Sequence, residues 1–558
     1  MADTDENIVD IFKVNGVRLI EFDGGAAEFV ILEKGEENAP HPLLEAFKDA
    51  LSQALGYHAV NSMGNRFNVQ LLMKYWPGVK SEVEEYGVAV PDELEKHIEA
   101  RIKKRREQLQ SSIERGEIEF DDLPVLFEEG MEVVANFAGH EVGGIVVSTE
   151  MKASFFGNYC NVSFKVFNNV YGNVADGPMT VPIGAYRGVR KIASLAVRRA
   201  TEEDKVTLAK RGGMFRKVAG AASYVQYQGQ ITQNSWYGSR SYRADGRVMV
   251  DISTFMKTQS DTYHSESRAS GVVNGGRDEH APSVEIPDDG LWRCHPFVYG
   301  FSFSAKQWGR LEVSGLSEIQ WRDDAWDKLV LDDQEKELVK ALVEFHGESF
   351  SDIVDEKGGG IIFLLHGPPG EGKTLTMETI AELLHKPLYR VSVGELGINP
   401  DQLEDRLREI LDIATIWDAV VGLDEADIFL AQRDKDNILR NAMVGVFLRL
   451  TEYHQGVLFL TTNLVEQIDE AFESRISVSI GFQKGTTDKR KKIWTNLLKA
   501  AQVKDGLLDI DALSLIELNG RQIKNVIRLS QTLAKARSVE LSVDIVNQVV
   551  SVTQRKRD

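Results

Sequence analysis

The spacing of apolar residues divides the chain into stretches of different texture. Up to about Phe137 apolar positions recur at helical intervals, as from Leu43 to Leu55 and at Leu94, Ile98, Ile102 and Leu109 within a highly charged run from Asp92 to Arg115. Pro91 and Asp92 supply the start signal of that second helix, whose narrow apolar stripe predicts packing on another helix or on another subunit. From about His140 to Trp321 short runs rich in Val, Phe, Tyr and Gly take over, among them Gly143 to Val147, Val162 to Phe167 and Arg247 to Ile252, and these read as strands. Inside that region Lys257 to Gly290 is poor in large apolar residues and rich in Ser, Gly, Asp and Glu, which predicts a long mobile loop.

After Trp326 a helical pattern of Leu329, Leu331, Leu338, Leu342 and Val343 leads to a Gly-rich stretch at Gly358 to Gly360. Apolar strands and amphipathic helices then alternate to about Phe482, the mark of an α/β domain with a parallel sheet. From Thr486 onward the chain reads as helical, with Thr487 and Asp488 as the cap of the first helix and Arg555 to Arg557 as a basic tail. The expected parts are therefore residues 1–139, an α+β region with the charged helix; 140–325, β-rich with the loop at about 257–290; 326–483, the α/β core; and 484–558, a helical region and tail. No internal repeat interrupts this order.

Composition adds exclusions. With 558 residues, 42% hydrophobic and 27% charged, the chain can bury several cores. A net charge of −20 opposes the phosphate attraction behind most nucleic-acid binding, so a nucleic-acid partner is not favoured. The basic runs Lys103 to Arg106 and Lys489 to Lys492 fall in charged helices and read as solvated faces. Only Cys160 and Cys294 are present, which leaves no disulfide framework or thiolate metal site and suits a reducing interior. His264, His280 and His295 lack metal-ligand spacing and read as solvated loop histidines, with Asp288 and Asp289 as solvating acids beside them. The acidic start, Met1 to Asp10, and the lack of any 18-residue apolar run predict a cytoplasmic protein with no membrane partner.

The chemistry concentrates after the strand signal Ile361 to Leu365. There Gly367, Pro368, Pro369, Gly370, Glu371, Gly372, Lys373 and Thr374, followed by Leu375, make a complete phosphate-binding loop. Glycines let successive N–H groups face phosphates, the helix starting near Lys373 adds its positive end, Lys373 reaches the β and γ phosphates, and Thr374 ligates magnesium. A second strand, Ala419 to Leu423, ends in Asp424 and Glu425, suited to holding the magnesium and to polarising the attacking water. A third, Val457 to Leu460, ends in Thr461, Thr462 and Asn463, whose amide can orient that water or touch the γ phosphate. Beyond it Arg475 is the candidate arginine finger, and in the helical end Arg521 is a second candidate phosphate-facing arginine.

This order of motifs resembles the AAA+ ATPases. The wording Leu364 to Gly370, Val391 to Gly397 and Asp469 to Ile476 is similar to one branch of that family, found in large fungal proteins whose ATPase follows a domain of unknown function. Upstream, Arg211 to Gly229 and Gly246 to Asp251 resemble that preceding domain. The resemblance implies a P-loop α/β core with a five-stranded parallel sheet, a small helical lid, ATP and magnesium, a homo-oligomeric ring that is commonly hexameric, and work on another macromolecule. The leading expectation is an ATPase that remodels or repositions a protein partner; an ATP-controlled assembly switch or scaffold with slow turnover stays open, and a nucleic-acid motor ranks below both. One departure is visible: the stretch Gly394 to Asp401, where many related unfoldases carry an aromatic grip, offers only Leu396 and Ile398 between flexible glycines. Full threading of a polypeptide is therefore not expected.

Overall fold

Leu94, Ile98, Ile102 and Leu109 are the buried residues of a helix at Asp92–Glu114, so the narrow stripe read from the sequence is its packed face. The computed structural model describes residues 8–14, 17–22, 28–33, 41–55, 60, 64–154, 157–170, 172–235, 238–259, 283–344, 360–397, 399–430, 438–463, 468–504 and 506–554. They form two compact units, Met1–Glu318 and Ile319–Asp558. Among the described residues no helix is long and apolar enough to cross a membrane.

In the first unit an antiparallel four-stranded sheet (Ile8–Val14, Val17–Phe22, Glu28–Leu32, Arg66–Asn68) is followed by helices at Val69–Glu85 and Asp92–Glu114. One continuous core joins this sheet to a second, five-stranded one through Phe47, Trp76, Ile98, Phe127, Val142 and Phe164. The boundary expected at 139/140 is therefore corrected. Glu132–Phe137 and His140–Ser154 are the two arms of one hairpin, closed by Ala138 at φ 50° and Gly139 at φ 84°. Two successive positive φ values define the turn that matches strand twist, so the texture change marks a turn within a sheet. A third, seven-stranded antiparallel sheet uses residues from Ser223 to Ser317.

The loop expected over residues 257–290 is shorter than its composition suggested. Residues 260–282 lie outside the described residues; a helix occupies Ile252–Thr258, and a 3-10 helix Asp288–Arg293 closes the other side. Ile286, Trp292 and Cys294 are buried, and Asp288 pairs with Arg216 at 2.7 Å. Both cysteines are free and buried.

His295 is likewise no solvated loop residue. It is 2% exposed, with the rings of Phe137 and Phe297 at 5.9 and 5.8 Å. Its Nδ1 accepts from the Phe297 N–H at 3.3 Å, while Nε2 has no hydrogen-bond partner among the described residues. His264 and His280 lie outside the described residues. Burial pushes the His295 pKa down to about 4, and Arg211 and Arg310 push the same way against the Phe297 backbone. The unfolded chain thus binds more protons between about pH 6.5 and 4, so this group costs stability as pH falls through that window. Asp122, raised to about 6 by burial against the pull of Arg105, has the opposite slope there. Comparison with a variant isolates the histidine: urea unfolding followed by fluorescence at pH 7 and pH 4 is expected to show the parent losing about 2 to 3 kcal/mol more than His295→Leu. Equal losses would refute the assignment.

The second unit holds a five-stranded parallel sheet, with strands β1 (Ile361–His366), β2 (Leu388–Ser392), β3 (Val420–Asp424), β4 (Val457–Thr462) and β5 (Val478–Gly481) in the order β2-β3-β4-β1-β5. Its three central strands, β1, β3 and β4, are nearly uninterrupted apolar runs, as strands covered on both faces must be. Phe363 and Phe459 stack across β1 and β4 at 4.7 Å, and Met377 and Ile380 cover them from helix α1 (Lys373–Leu383). Helices α2 (Pro400–Ile416) and α3 (Ile438–Glu452) follow β2 and β3.

The helical end forms its own core around Trp494, Ile523, Val526 and Val546, from helices α4 (Thr487–Ala500), α5 (Gly520–Ala536) and α6 (Val543–Thr553). The cap of α4 is Thr486, which accepts from the Lys489 N–H, one residue before the position expected. Residues 555–558, with the basic tail, lie outside the described residues, as do 358 and 359.

The segment entering this unit is tied both to the end of α1 and to α4. Trp321 stacks on His385, just past α1, at 4.6 Å, and His385 meets Asp323 at 2.7 Å. The Asn496 side chain on α4 donates to the Lys328 carbonyl at 2.8 Å.

Candidate nucleotide site

The turn after β1 has to reverse the chain over the sheet edge while passing close to β5. A Cβ on Gly367 would sit 2.0 Å from the Phe482 carbonyl oxygen, and Gly367 has φ 136°, so both space and backbone demand glycine there. Gly372, at φ 113°, starts α1. Lys373, on the first turn, is buried and donates to the carbonyls of Gly367 and Pro368, the latter at 2.9 Å, and to Asn463 Oδ1 at 3.0 Å. Burial lowers its pKa, and Asp427, Glu371 and Asp424 oppose that in this order.

Parallel pairing brings the ends of β1, β3 and β4 together. Thr374 Oγ1 donates to Asp424 Oδ1 at 3.2 Å, and Thr461 Oγ1 donates to the same oxygen at 2.9 Å. Thr461 Oγ1 in turn accepts from the Glu425 N–H at 3.1 Å. Glu425 is exposed and has φ 60°, a left-handed conformation that non-glycine residues seldom adopt. Strain of this kind, on the order of 1 kcal/mol or more, persists where surrounding contacts dictate it, and it clusters at working sites.

The lid reaches the same loop. Asn519 caps α5 through the Gln522 N–H and also donates from Nδ2 to the Pro369 carbonyl at 3.2 Å; the Arg521 N–H lies 3.4 Å from the Gly370 carbonyl. A Cβ on Gly370, which has φ 85°, would meet Asn519 Nδ2 at 2.6 Å. Glu371 accepts from the Gly485 backbone, and burial raises its pKa, so its carboxyl faces the chain entering the lid. Leu375 is 55% exposed.

The structure therefore joins Gly367, Pro368, Lys373, Thr374, Asp424 and Asn463 directly, with Glu425 linked through Thr461 and Arg521 beside Gly370. Arg475 lies elsewhere. Its guanidinium bonds Glu452 at 3.2 Å and the Ala471 carbonyl at 2.9 Å. The nearby Ser477 N–H pairs with Ile362, at the start of β1, whereas the phosphate loop follows its end. At about 3.3 Å per residue this separates Arg475 from its own loop by roughly 15 Å of strand.

Sequence reading passed over Asp427, Arg390 and Asn519. Asp427 accepts from the Thr462 hydroxyl and from the Asn463 N–H, the latter at 3.1 Å. Arg390 on β2 bonds Glu378 at 3.0 Å and lies 3.8 Å from Asp424. Asp427 carried a usable signal, an acid one helical turn past Asp424; Arg390 carried none, since only the pairing of β2 with β3 places it.

Strand order, phosphate loop and helical lid define a P-loop nucleotide-binding domain of α/β architecture. Residues 363–484 match the family AAA, the ATPase family associated with various cellular activities, and residues 108–200 match a domain of unknown function, DUF7025. The chain thus carries an AAA-family ATPase domain, preceded by that domain of unknown function. The upstream match lies before residues 211–229 and 246–251, where the resemblance was placed; those stretches lie in the seven-stranded sheet and the helix preceding it. Human ATPase family AAA domain-containing protein 3B is 29% identical over 194 residues, 32% of this chain and 29% of that protein. The Schizosaccharomyces pombe 26S proteasome regulatory subunit 6B homolog is 25% identical over 235 residues, 38% and 59% of the two chains. The probable mitochondrial chaperone bcs1 of the same yeast is 25% identical over 158 residues, 26% and 34%. The chain spans less than two thirds of each of these relatives.

Proposed function

We propose that this protein hydrolyses ATP with magnesium at the interfaces of a ring of its own copies, hexameric as is common in the family, and uses the turnover to remodel or reposition a protein partner. The observation that carries the catalytic part is the interlock of Lys373 with Asn463 and of Thr374 with Asp424 at three adjoining strand ends. Thr374 and Asp424 bring together hydroxyl and carboxylate oxygens, the hard donors that magnesium takes, and they would hold the ion. When bound, magnesium neutralises charge on the β and γ phosphates. Lys373 and the N–H groups of the loop bind those phosphates, Glu425 takes the proton of the attacking water, and Asn463 orients that water. Arg521 adds positive charge from the lid.

The place of Arg475, at the end of the strands opposite its own loop, supports shared sites between copies. Relatives named as a chaperone and as a proteasome regulatory subunit homolog support a protein as the object of work. Repositioning is favoured over threading. Leu396 is fully buried, Gly394 and Glu395 are the exposed residues of their turn, and Asn399 is committed to capping α2; Ile398 lies outside the described residues. The burial of Leu396 leaves it unavailable to grip a polypeptide and so supports repositioning.

Shared sites make turnover depend on assembly. Phosphate release per chain is expected to rise with protein concentration, in step with the mass of particles measured with a slowly hydrolysed ATP analogue. Constant specific activity from a monomer at every concentration would overturn the ring.

A further inference from the structure

Asn463 stands one residue beyond the end of β4, outside the ladder of β1 and β3, and it is exposed, so packing among the described residues does little to fix its amide. Its backbone N–H is satisfied by Asp427 Oδ1 at 3.1 Å, the oxygen that also accepts from the Thr462 hydroxyl. Asn463 Oδ1 then accepts from Lys373 at 3.0 Å. Two links therefore connect the Asp427 carboxylate to the lysine. Asp427 is the first residue of a short helix, Asp427–Leu430, where an acid commonly serves the helix itself. Here its oxygen is turned instead to the end of the neighbouring strand.

We propose that Asp427 is a positioning residue for hydrolysis: its carboxylate clamps Thr462 and Asn463 so that the Asn463 amide stays beside Lys373, where the γ phosphate and its water are to be met. The assignment rests on the ATPase reading above. A carboxylate suits the task because it accepts two hydrogen bonds at one oxygen and strengthens both by its charge. It also adds to the field that keeps Lys373 charged in a buried place. Loss of the clamp leaves the phosphate cradle intact and frees the amide to swing, which is a loss of orientation and not of binding.

The test is a double-mutant cycle in the full chain, with kcat, ATP affinity and thermal melting measured for the parent, Asp427→Ala, Asn463→Ala and the double variant. Asp427→Ala is expected to lower kcat by about tenfold to a hundredfold with ATP affinity changed by less than about threefold. In the Asn463→Ala background the same change should cost less than about twofold, because the clamped group is gone. Asp427→Asn, which keeps an accepting oxygen, should recover most of the rate. Where Asp427→Ala does not fold, Asp427→Glu carries the same cycle, since it keeps the charge and shifts the oxygen by one methylene. Unchanged kcat, or losses that multiply in the double variant, would overturn the positioning role while leaving the ATPase reading in place. A parent protein without turnover would overturn that reading, and this assignment with it.

Discussion

Glu425→Gln is expected to reduce ATP turnover by about a hundredfold or more while ATP remains bound, and Lys373→Ala to abolish tight nucleotide binding. The contrast follows from where the two side chains sit. Lys373 is buried and reaches the loop carbonyls and Asn463, so its removal takes the fixed cation out of the phosphate cradle. Glu425 is exposed, and its backbone, not its side chain, is what Thr461 holds. Glutamine has the same shape and needs no new backbone conformation at φ 60°, so the substitution removes the basic oxygen and little else. A hundredfold loss corresponds to about 2.7 kcal/mol of transition-state stabilisation. Nucleotide retention and phosphate release measured on the same samples decide the matter: equal loss of retention in both variants would sink the role given to Glu425.

Arg475→Ala is expected to lower kcat by about a thousandfold, and mixing it with Lys373→Ala protein to restore part of the activity. As a structural element the arginine contributes little. Its bridge to Glu452 joins two side chains each about a third exposed, a class of pair that contributes about 0 to 1 kcal/mol. A large kinetic loss on an intact melting curve would therefore report its charge at a reacting phosphate. On the proposed reading that phosphate belongs to a neighbouring copy, because Arg475 lies at the end of the strands opposite its own loop. In a mixed ring, interfaces that pair an intact loop with an intact arginine should turn over. Mixed rings shown to form yet wholly inactive would mean that the arginine serves only its own chain.

The ATPase unit was legible because its chemistry and its periodicity point the same way. The strand at Ile361–His366, the loop through Thr374, and the acidic and amide strand ends follow in the order that a parallel sheet needs, and all six residues that meet directly stand on or beside those ends. What escaped depended on pairing between distant segments. Nothing local to Asn519 says that its amide bonds Pro369. Leu396 looked like a loop residue because its neighbours are glycines, whereas burial is decided by the space beneath the turn. In the first unit, the change from helical to strand texture near residue 140 misled because it coincides with a hairpin turn. His295 failed for a related reason: polar composition on one side of it concealed that Trp292, Cys294 and Phe297 belong to a core.

The two ties on residues 321–328 bear on how the ATPase unit is loaded mechanically. Trp321 and Asp323 hold the incoming chain to His385, just past the helix that begins with Lys373, while Asn496 of the lid holds the Lys328 carbonyl. A lid that rotates over the sheet must either break the second tie or drag residue 328 with it. The entrance of this unit is thus a three-way junction, in which residues 321–328, anchored by Trp326 in the sheet core, meet both the far end of that helix and the lid.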